Sequence, residues 1–171
     1  LCGSSDNWVS VAKAVSTKYT VFLPDLRNHG RSPHSDIHNY EALSNDIYEL
    51  LEELTTGKFF LAGHSMGGKA ALFFATKWPE KLLGLIIADI SPFQARISGS
   101  AKDSRHREML NIIAETDLSA ISSRDQAVSI LSDKIKQERI LGLILKNLQR
   151  MPDGKFTWKI YASSLLLNLD N

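Results

Sequence analysis

The alternation of apolar and polar positions predicts helices and strands in turn through the first 92 residues. Three segments have the apolar spacing or composition of a helix: 6–17, 40–54 and 68–77. Three short apolar runs have the character of buried strands: 18–23, 58–62 and 81–88. The order α-β-α-β-α-β, with near-continuous apolar strands, is typical of a parallel sheet covered by helices on both faces. We therefore predict an α/β fold for this part of the chain.

The pattern changes beyond Pro92, where only helical periodicity remains. Four helices are predicted there: about 106–115, 124–134, 137–149 and 157–168. Ser123 and Gln126 have the spacing of a capping box for the second of these helices. We therefore predict two parts, a partial α/β core in residues 1–92 and an all-helical cap in residues 93–171 that is inserted into the core and packs on the sheet.

The composition and net charge of the chain limit the classes of molecule and site that can be expected for it. The chain of 171 residues is 43% apolar and 23% charged, which is ordinary for one globular domain. A net charge of +1 favours neither a nucleic acid nor an anionic membrane as partner. No apolar run approaches the ~18 residues of a membrane-spanning helix. Cys2 is the only cysteine, which excludes an intrachain disulfide and a thiolate metal site.

The candidate chemistry is concentrated in the pentapeptide Gly63-His64-Ser65-Met66-Gly67, which has the form G-x-S-x-G. A predicted strand precedes it and a predicted helix follows, and this context is typical of a nucleophile elbow. Ser65 is then the nucleophile, and the Met66 N–H at the helix N-terminus faces the developing negative charge. Gly63 and Gly67 are both expected to be needed, because a Cβ at either would collide with a neighbouring element. The alternative is a Gly/Ser turn that only connects the two elements.

Four motifs in this order resemble the α/β-hydrolase fold, and in particular the branch of small esterases that contains bacterial YbfF-type esterases and mitochondrial α/β-hydrolase-domain proteins. The motifs are GSSDNW at 3–8, DLRNHGRSP at 25–33, GHSMGGK at 63–69 and DISP at 89–92. Residues 93–171 resemble the helical cap of that branch in position and length. The fold class that the resemblance implies is an α/β-hydrolase fold with an all-helical cap, lacking its N- and C-terminal strands.

The resemblance also implies a second oxyanion donor beside the Met66 N–H. The family motif reads His-Gly-Leu-Phe-Gly-Ser, so the sequence begins at its leucine, and Cys2 replaces the usual phenylalanine. The donor is then the backbone N–H of Leu1 or of Cys2. The family strand that ends in this motif lies between the strands predicted at 18–23 and 58–62, and its absence leads us to expect a fragment whose full protein continues at both ends.

Histidines present a difficulty, because such hydrolases order their triad as Ser, then Asp or Glu, then His. The only histidine after Ser65 is His106, on the first predicted cap helix. We therefore expect the triad histidine outside this chain, so that residues 1–171 alone are inactive. His64 is predicted to point away from the nucleophile as a packed or hydrogen-bonded elbow residue. Three further histidines either line a pocket rim or, as we favour, are surface loop residues: His29, His34 and His38.

The triad acid has two interpretations. Asp89 ends the strand next to the elbow strand and could bind a histidine that arrives on a later loop. Its alternative role is to cap the turn into Ser91 and Pro92, with the acid then lying beyond this chain. Asp25 is interpreted as a structural carboxylate of the loop that follows it.

The predicted function is a serine hydrolase that cleaves carboxylic esters or thioesters of small to medium acyl groups through an acyl-enzyme on Ser65. We expect no metal or cofactor, because this chemistry needs only protons and dipoles. Six apolar cap residues either line the acyl pocket or, as we favour, hold the cap together: Phe93, Met109, Ile112, Ile113, Trp158 and Tyr161. The alternatives are a non-catalytic ligand-binding protein, a C–C bond hydrolase and a haloperoxidase. The expected location is the cytoplasm, or the mitochondrial matrix for a eukaryotic protein, and the oligomeric state stays open.

Overall fold

The structure, a computed structural model, describes residues 1–54, 57–90 and 101–169, without the side chains of 101–103. The chain divides into two compact units. The first contains residues 37–90 together with Leu1, and the second contains residues 2–36 and 101–169. The predicted boundary between core and cap at residues 92 and 93 lies outside the described residues, as do Phe93 and the turn at Ser91 and Pro92.

The first unit is built on two parallel strands. Helix α1 (Val9–Val15) precedes it in the chain and belongs to the second unit. The elements of the first unit are α2 (Tyr40–Leu54), β1 (Phe59–His64), α3 (Met66–Lys77), a 3₁₀ turn (Pro79–Lys81) and β2 (Leu82–Ala88). Helix α3 packs on both strands and α2 packs on α3. Phe74 is the buried centre of this packing, where its ring meets those of Phe59 and Trp78 at 5.7 and 5.1 Å between centroids. The predicted alternation of strands and helices is confirmed here.

One face of this sheet remains exposed, contrary to the predicted cover on both faces. Phe60 and Ile86 lie on that face and are 53% and 59% exposed. Their neighbours Leu61 and Leu85 pair in register and point to the opposite face, against α3. A strand that is apolar on both sides is typical of a sheet buried on both faces. In the described residues of this unit, however, a helix covers only one face.

The second unit contains most of the helices. After a 3₁₀ turn (Ser5–Trp8) and α1, its elements are α4 (Ala101–Glu115), α5 (Arg124–Lys134), α6 (Glu138–Leu145), β3 (Leu148–Arg150), β4 (Phe156–Trp158) and α7 (Ala162–Leu167). Helix α4 packs on α7, and α5 packs on α6. As predicted, the Ser123 hydroxyl accepts from the Gln126 N–H at 3.1 Å and caps α5. No helix in the described part of the chain is long and apolar enough to cross a membrane.

The prediction of an all-helical cap is wrong. Strands β3 and β4 form an antiparallel hairpin in which Leu148 pairs with Trp158, where the sequence pattern predicted the end of one helix and the start of another. A turn at residues 151–154 closes this hairpin, and Gly154 adopts φ 86° there. Three-residue strands are too short to show a period of two. Their apolar residues also fit the helical patterns that precede and follow the hairpin.

The strand predicted at 18–23 is also wrong. The structure assigns no strand to these residues, and neither of the two sheets in the described part of the chain includes them. A strand is defined by its ladder of hydrogen bonds to a neighbour, which sequence alternation alone does not supply.

The loop that follows Asp25 is held by side chains and docks α7. The Asp25 carboxylate accepts from the N–H of Ser5 at 2.6 Å and of Arg31 at 2.9 Å, a structural role as interpreted from sequence. Asn28 is fully buried and donates from Nδ2 to the hydroxyl of Ser164 in α7 at 3.3 Å. The Asn28 carbonyl accepts from the N–H of Tyr161 at 3.0 Å. These bonds join the loop to the last helix of the same unit.

Candidate active site

Ser65 lies at the sharp turn between β1 and α3. Its φ of 52° and ψ of −118° belong to a region that residues other than glycine rarely adopt, at a cost of about 1–3 kcal/mol. The Ser65 N–H donates to the Ala88 carbonyl at the end of β2 at 3.0 Å, which holds the turn against the neighbouring strand. Met66 begins α3, so its N–H belongs to the first turn of a helix of 12 residues, whose positive end attracts an anion.

The glycines around Ser65 differ from the prediction. A Cβ on Gly63 would lie 2.3 Å from the Gly67 carbonyl oxygen, so no larger residue fits there. A Cβ on Gly67 would meet no atom of the described residues within 4 Å, which contradicts its predicted collision. Gly68 is the tighter position, because its Cβ would lie 3.1 Å from the Gly63 oxygen and 3.2 Å from Cγ2 of Ile87. The close approach of strand and helix therefore depends on Gly63 and Gly68.

We expect Gly63→Ala to destabilise the protein by about 2–3 kcal/mol, because the added methyl collides with backbone atoms that cannot move aside. Gly67→Ala is the matched control, and it should leave the free energy of unfolding unchanged or slightly raised, since alanine favours a helix. Urea unfolding of both variants measures the difference. Equal stabilities for the two variants would contradict this assignment of the close approach.

Asp89 and His64 contact each other beside the elbow. Asp89 follows β2 and adopts φ 58°, and its Oδ2 lies 3.3 Å from Nε2 of His64, the last residue of β1. The two strands bring them together, since His64 pairs in register with Ala88. The side chains are 72% and 55% exposed, so water screens the pair and it contributes little stability. His64 is thus paired with a carboxylate rather than packed in the core.

The remaining histidines divide into buried and exposed residues. His29 and His38 are buried, so the favoured interpretation as surface loop residues is wrong for them. In His29 the Nδ1 atom lies 3.0 Å from the Arg27 carbonyl oxygen. His34 is exposed, as predicted, and stacks on the Tyr161 ring at 5.0 Å between centroids. His106 lies on α4 in the second unit.

Cys2 has an unusual backbone and a buried thiol. It adopts φ 58°, and burial raises the pKa of its thiol to about 11. The thiol is therefore protonated near neutral pH and is a poor nucleophile. The Cys2 carbonyl accepts from Nδ2 of Asn147 at 3.1 Å. Sequence reasoning missed Asn147, because it lies within the helix predicted at 137–149 and no motif marks a lone asparagine there.

A cavity of about 450 Å³ lies within the second unit. Three of the six apolar cap residues singled out from the sequence line it: Ile113, Trp158 and Tyr161. The Tyr161 hydroxyl donates to Asp36 at 3.1 Å, and this hydrogen bond raises the pKa of the tyrosine. Met109, which lies on α4, is instead a buried core residue. Within the described residues, no group of three or more His, Cys, Asp and Glu side chains could hold a metal ion.

The strand, elbow and helix around Ser65 agree with a comparison against known families. The model of the alpha/beta hydrolase fold matches residues 1–156. The chain belongs to the α/β-hydrolase fold family. A solved member, described as a marine microorganism esterase, is 36% identical and superposes with a TM-score of 0.92 over 99% of this chain and 64% of its own.

Curated relatives of the chain include a lipase and an esterase. The mouse protein named sn-1-specific diacylglycerol lipase ABHD11 is 36% identical over 172 residues, which are 99% of this chain. The Escherichia coli esterase YbfF is 28% identical over 160 residues, or 94% of this chain. The chain spans 55% and 59% of the lengths of these two relatives.

Proposed function

We propose that the whole protein is a serine hydrolase that cleaves carboxylic esters or thioesters of small to medium acyl groups through an acyl-enzyme on Ser65. The observation that carries this proposal is the backbone of Ser65, which is held at a positive φ between a parallel strand and a helix N-terminus. Strained conformations persist where the surroundings impose them, and they are concentrated at active sites. Similarity to esterases and to a diacylglycerol lipase supports ester substrates.

The proposed reaction needs a base that removes the Ser65 proton as the oxygen attacks the carbonyl carbon. A histidine outside residues 1–171 takes this proton and returns it to the departing alcohol or thiol. The tetrahedral oxyanion accepts hydrogen bonds from the Met66 N–H and from the N–H of Leu1 or Cys2. Water then attacks the acyl-Ser65 ester and gives its proton to the same histidine, which returns it to Oγ of Ser65 as the bond from the acyl carbon to Oγ breaks and the acid leaves.

Asp89 is the proposed triad acid, and its position supports this role. It follows β2, the strand that pairs with the elbow strand, and its carboxylate is 72% exposed. An exposed carboxylate at this strand end can orient a histidine Nδ1–H and stabilise the imidazolium that forms. Within residues 1–54, 57–90 and 101–169, the contact with His64 uses Oδ2, and we propose that Oδ1 accepts from the triad histidine.

A fluorophosphonate probe tests the nucleophile in the whole protein. The probe phosphonylates an activated serine, and the tryptic peptide 59–69 contains Ser65 as its only hydroxyl side chain. We expect a mass increase on this peptide, and none on it in the Ser65→Ala variant. Absence of labelling in the folded wild-type protein would favour the non-catalytic ligand-binding alternative, and labelling of another peptide would contradict Ser65 as nucleophile.

A further inference from the structure

The side chains of His64 and Asp89 contact each other within the first unit, beside the candidate nucleophile. Nε2 of His64 lies 3.3 Å from Oδ2 of Asp89. The carboxyl ends of the two parallel strands carry these residues, because His64 ends β1 and Asp89 directly follows β2. The contact and Ser65 therefore belong to the same compact unit.

The sheet fixes the backbone on both sides of this contact. The N–H of Ser65 donates to the carbonyl of Ala88 at 3.0 Å, so one hydrogen bond joins the residue after His64 to the residue before Asp89. Asp89 adopts φ 58°, a left-handed conformation that aspartate tolerates better than most residues. With both backbones held, the side-chain torsions alone determine where the imidazole and the carboxylate point.

The exposed carboxylate of Asp89 needs a contact to select one orientation. Its side chain is 72% exposed, and the χ1 angle of an aspartate has three staggered wells whereas χ2 is broad. A triad acid orients the imidazole of its histidine, so it must itself be oriented before the reaction. Among residues 1–54, 57–90 and 101–169, His64 is the residue whose polar atom lies against this carboxylate.

We propose that His64 is a positioning residue for the triad acid Asp89. This inference rests on the proposed function, in which Oδ1 of Asp89 accepts from the triad histidine. An N–H at Nε2, present in one neutral tautomer of imidazole and in the imidazolium, attracts Oδ2. With Oδ2 held beside His64, Oδ1 is the oxygen presented to the triad histidine. His64 thus acts only through the carboxylate and does not contact the substrate.

The test replaces His64 in the whole protein with leucine, which removes the polar atom. We expect kcat for p-nitrophenyl acetate to fall about two- to fivefold, because a pair screened by water biases an orientation by no more than this. KM should change less than about 1.5-fold, since the contact does not bind the ground-state ester. Circular dichroism checks the fold, and titration with a fluorophosphonate probe gives the active concentration. A smaller fall in kcat, or an effect confined to KM, overturns the proposal.

His64→Gln is the matched control for the loss of the imidazole. The amide of glutamine can place an N–H close to the position of Nε2, so this variant keeps a donor for Oδ2. We expect its kcat to lie within about 1.5-fold of wild type. Equal kcat values for His64→Gln and His64→Leu would overturn the proposal, because the polar atom would then have no effect.

A second background separates positioning of the carboxylate from a general effect on the elbow. In Asp89→Ala no carboxylate remains for His64 to orient, so adding His64→Leu should not lower kcat further. A merely structural role of His64, such as support for the strained turn at Ser65, lowers kcat by the same factor on both backgrounds. That result contradicts a role through Asp89.

The same assay with Asp89→Asn distinguishes this inference from the proposed function. If Asp89→Asn keeps more than about a tenth of the wild-type kcat, Asp89 is not the triad acid, and its proposed role and this inference fail together. If Asp89→Asn loses about 10³–10⁴-fold while His64→Leu is unchanged, the inference alone is overturned.

Discussion

Replacing Ser65 with alanine should lower kcat for ester hydrolysis by about 10⁶-fold in the whole protein, the scale seen when another serine hydrolase loses its nucleophile. The loss is this large because serine and histidine act as one unit, so no acyl-enzyme forms without the hydroxyl. Residual hydrolysis then comes from the oxyanion donors and substrate binding alone. Steady-state kinetics with p-nitrophenyl acetate measures the effect, with active-site titration to exclude wild-type contamination.

Thr76→Ala is the matched control for the loss of a hydroxyl. Thr76 lies on α3, the helix that follows the nucleophile, and its exposed hydroxyl donates only within the helix, to the Phe73 carbonyl at 2.8 Å. We expect kcat of this variant to stay within about twofold of wild type, because the hydroxyl contributes only a surface hydrogen bond. A Ser65→Ala variant that keeps more than a tenth of the wild-type kcat would sink the assignment of the nucleophile.

Replacing Asp89 with asparagine should lower kcat by about 10³–10⁴-fold if its carboxylate orients the triad histidine, as in other serine hydrolases. The asparagine amide keeps the shape but donates a hydrogen bond, so it selects the wrong tautomer of the imidazole and does not stabilise the imidazolium. KM should change little, because the substrate does not contact this side chain. The pH–rate profile of the variant gives the apparent pKa of the histidine, which should fall without the neighbouring negative charge.

The control for Asp89→Asn removes an equivalent charge elsewhere. Asp153 is exposed in the turn of the hairpin, where its Oδ2 lies 3.9 Å from Nζ of Lys155. Asp153→Asn should leave kcat unchanged, since a screened surface pair contributes little. If Asp89→Asn loses less than tenfold while Asp153→Asn is normal, the triad acid lies outside residues 1–171 and Asp89 serves only its contact with His64.

Local periodicity predicted the long amphipathic elements, in which one face of a single segment is buried. Helix α2 was predicted at 40–54 and occupies Tyr40–Leu54, because its buried residues Leu43 and Ile47 recur at helical spacing within one segment. The hairpin of β3 and β4 was missed because its stability depends on pairing Leu148 with Trp158 across a turn. A segment of three residues carries too little periodicity to reveal such a pairing.

The glycines of the elbow mark the limit of motif reasoning in the candidate site. The motif identified Gly63 and Gly67 as the positions of close approach, yet the atoms nearest to an added Cβ lie around Gly63 and Gly68. Sequence spacing cannot show which glycine of a Gly-Gly pair faces the strand, since this depends on the angle at which α3 leaves Ser65. The same is true of His29 and His38, which lie in a segment rich in polar and turn-forming residues and are nevertheless buried.

By itself the sequence determined the order of the α/β elements in the first unit and identified Ser65 as the candidate nucleophile, because both are encoded in neighbouring residues. Only the tertiary structure decided that His64 contacts Asp89 and that Asn147 binds the carbonyl of Cys2, 145 residues away. Such contacts depend on how separate elements pack, and that packing is determined by shape and burial over the whole unit rather than by any local pattern.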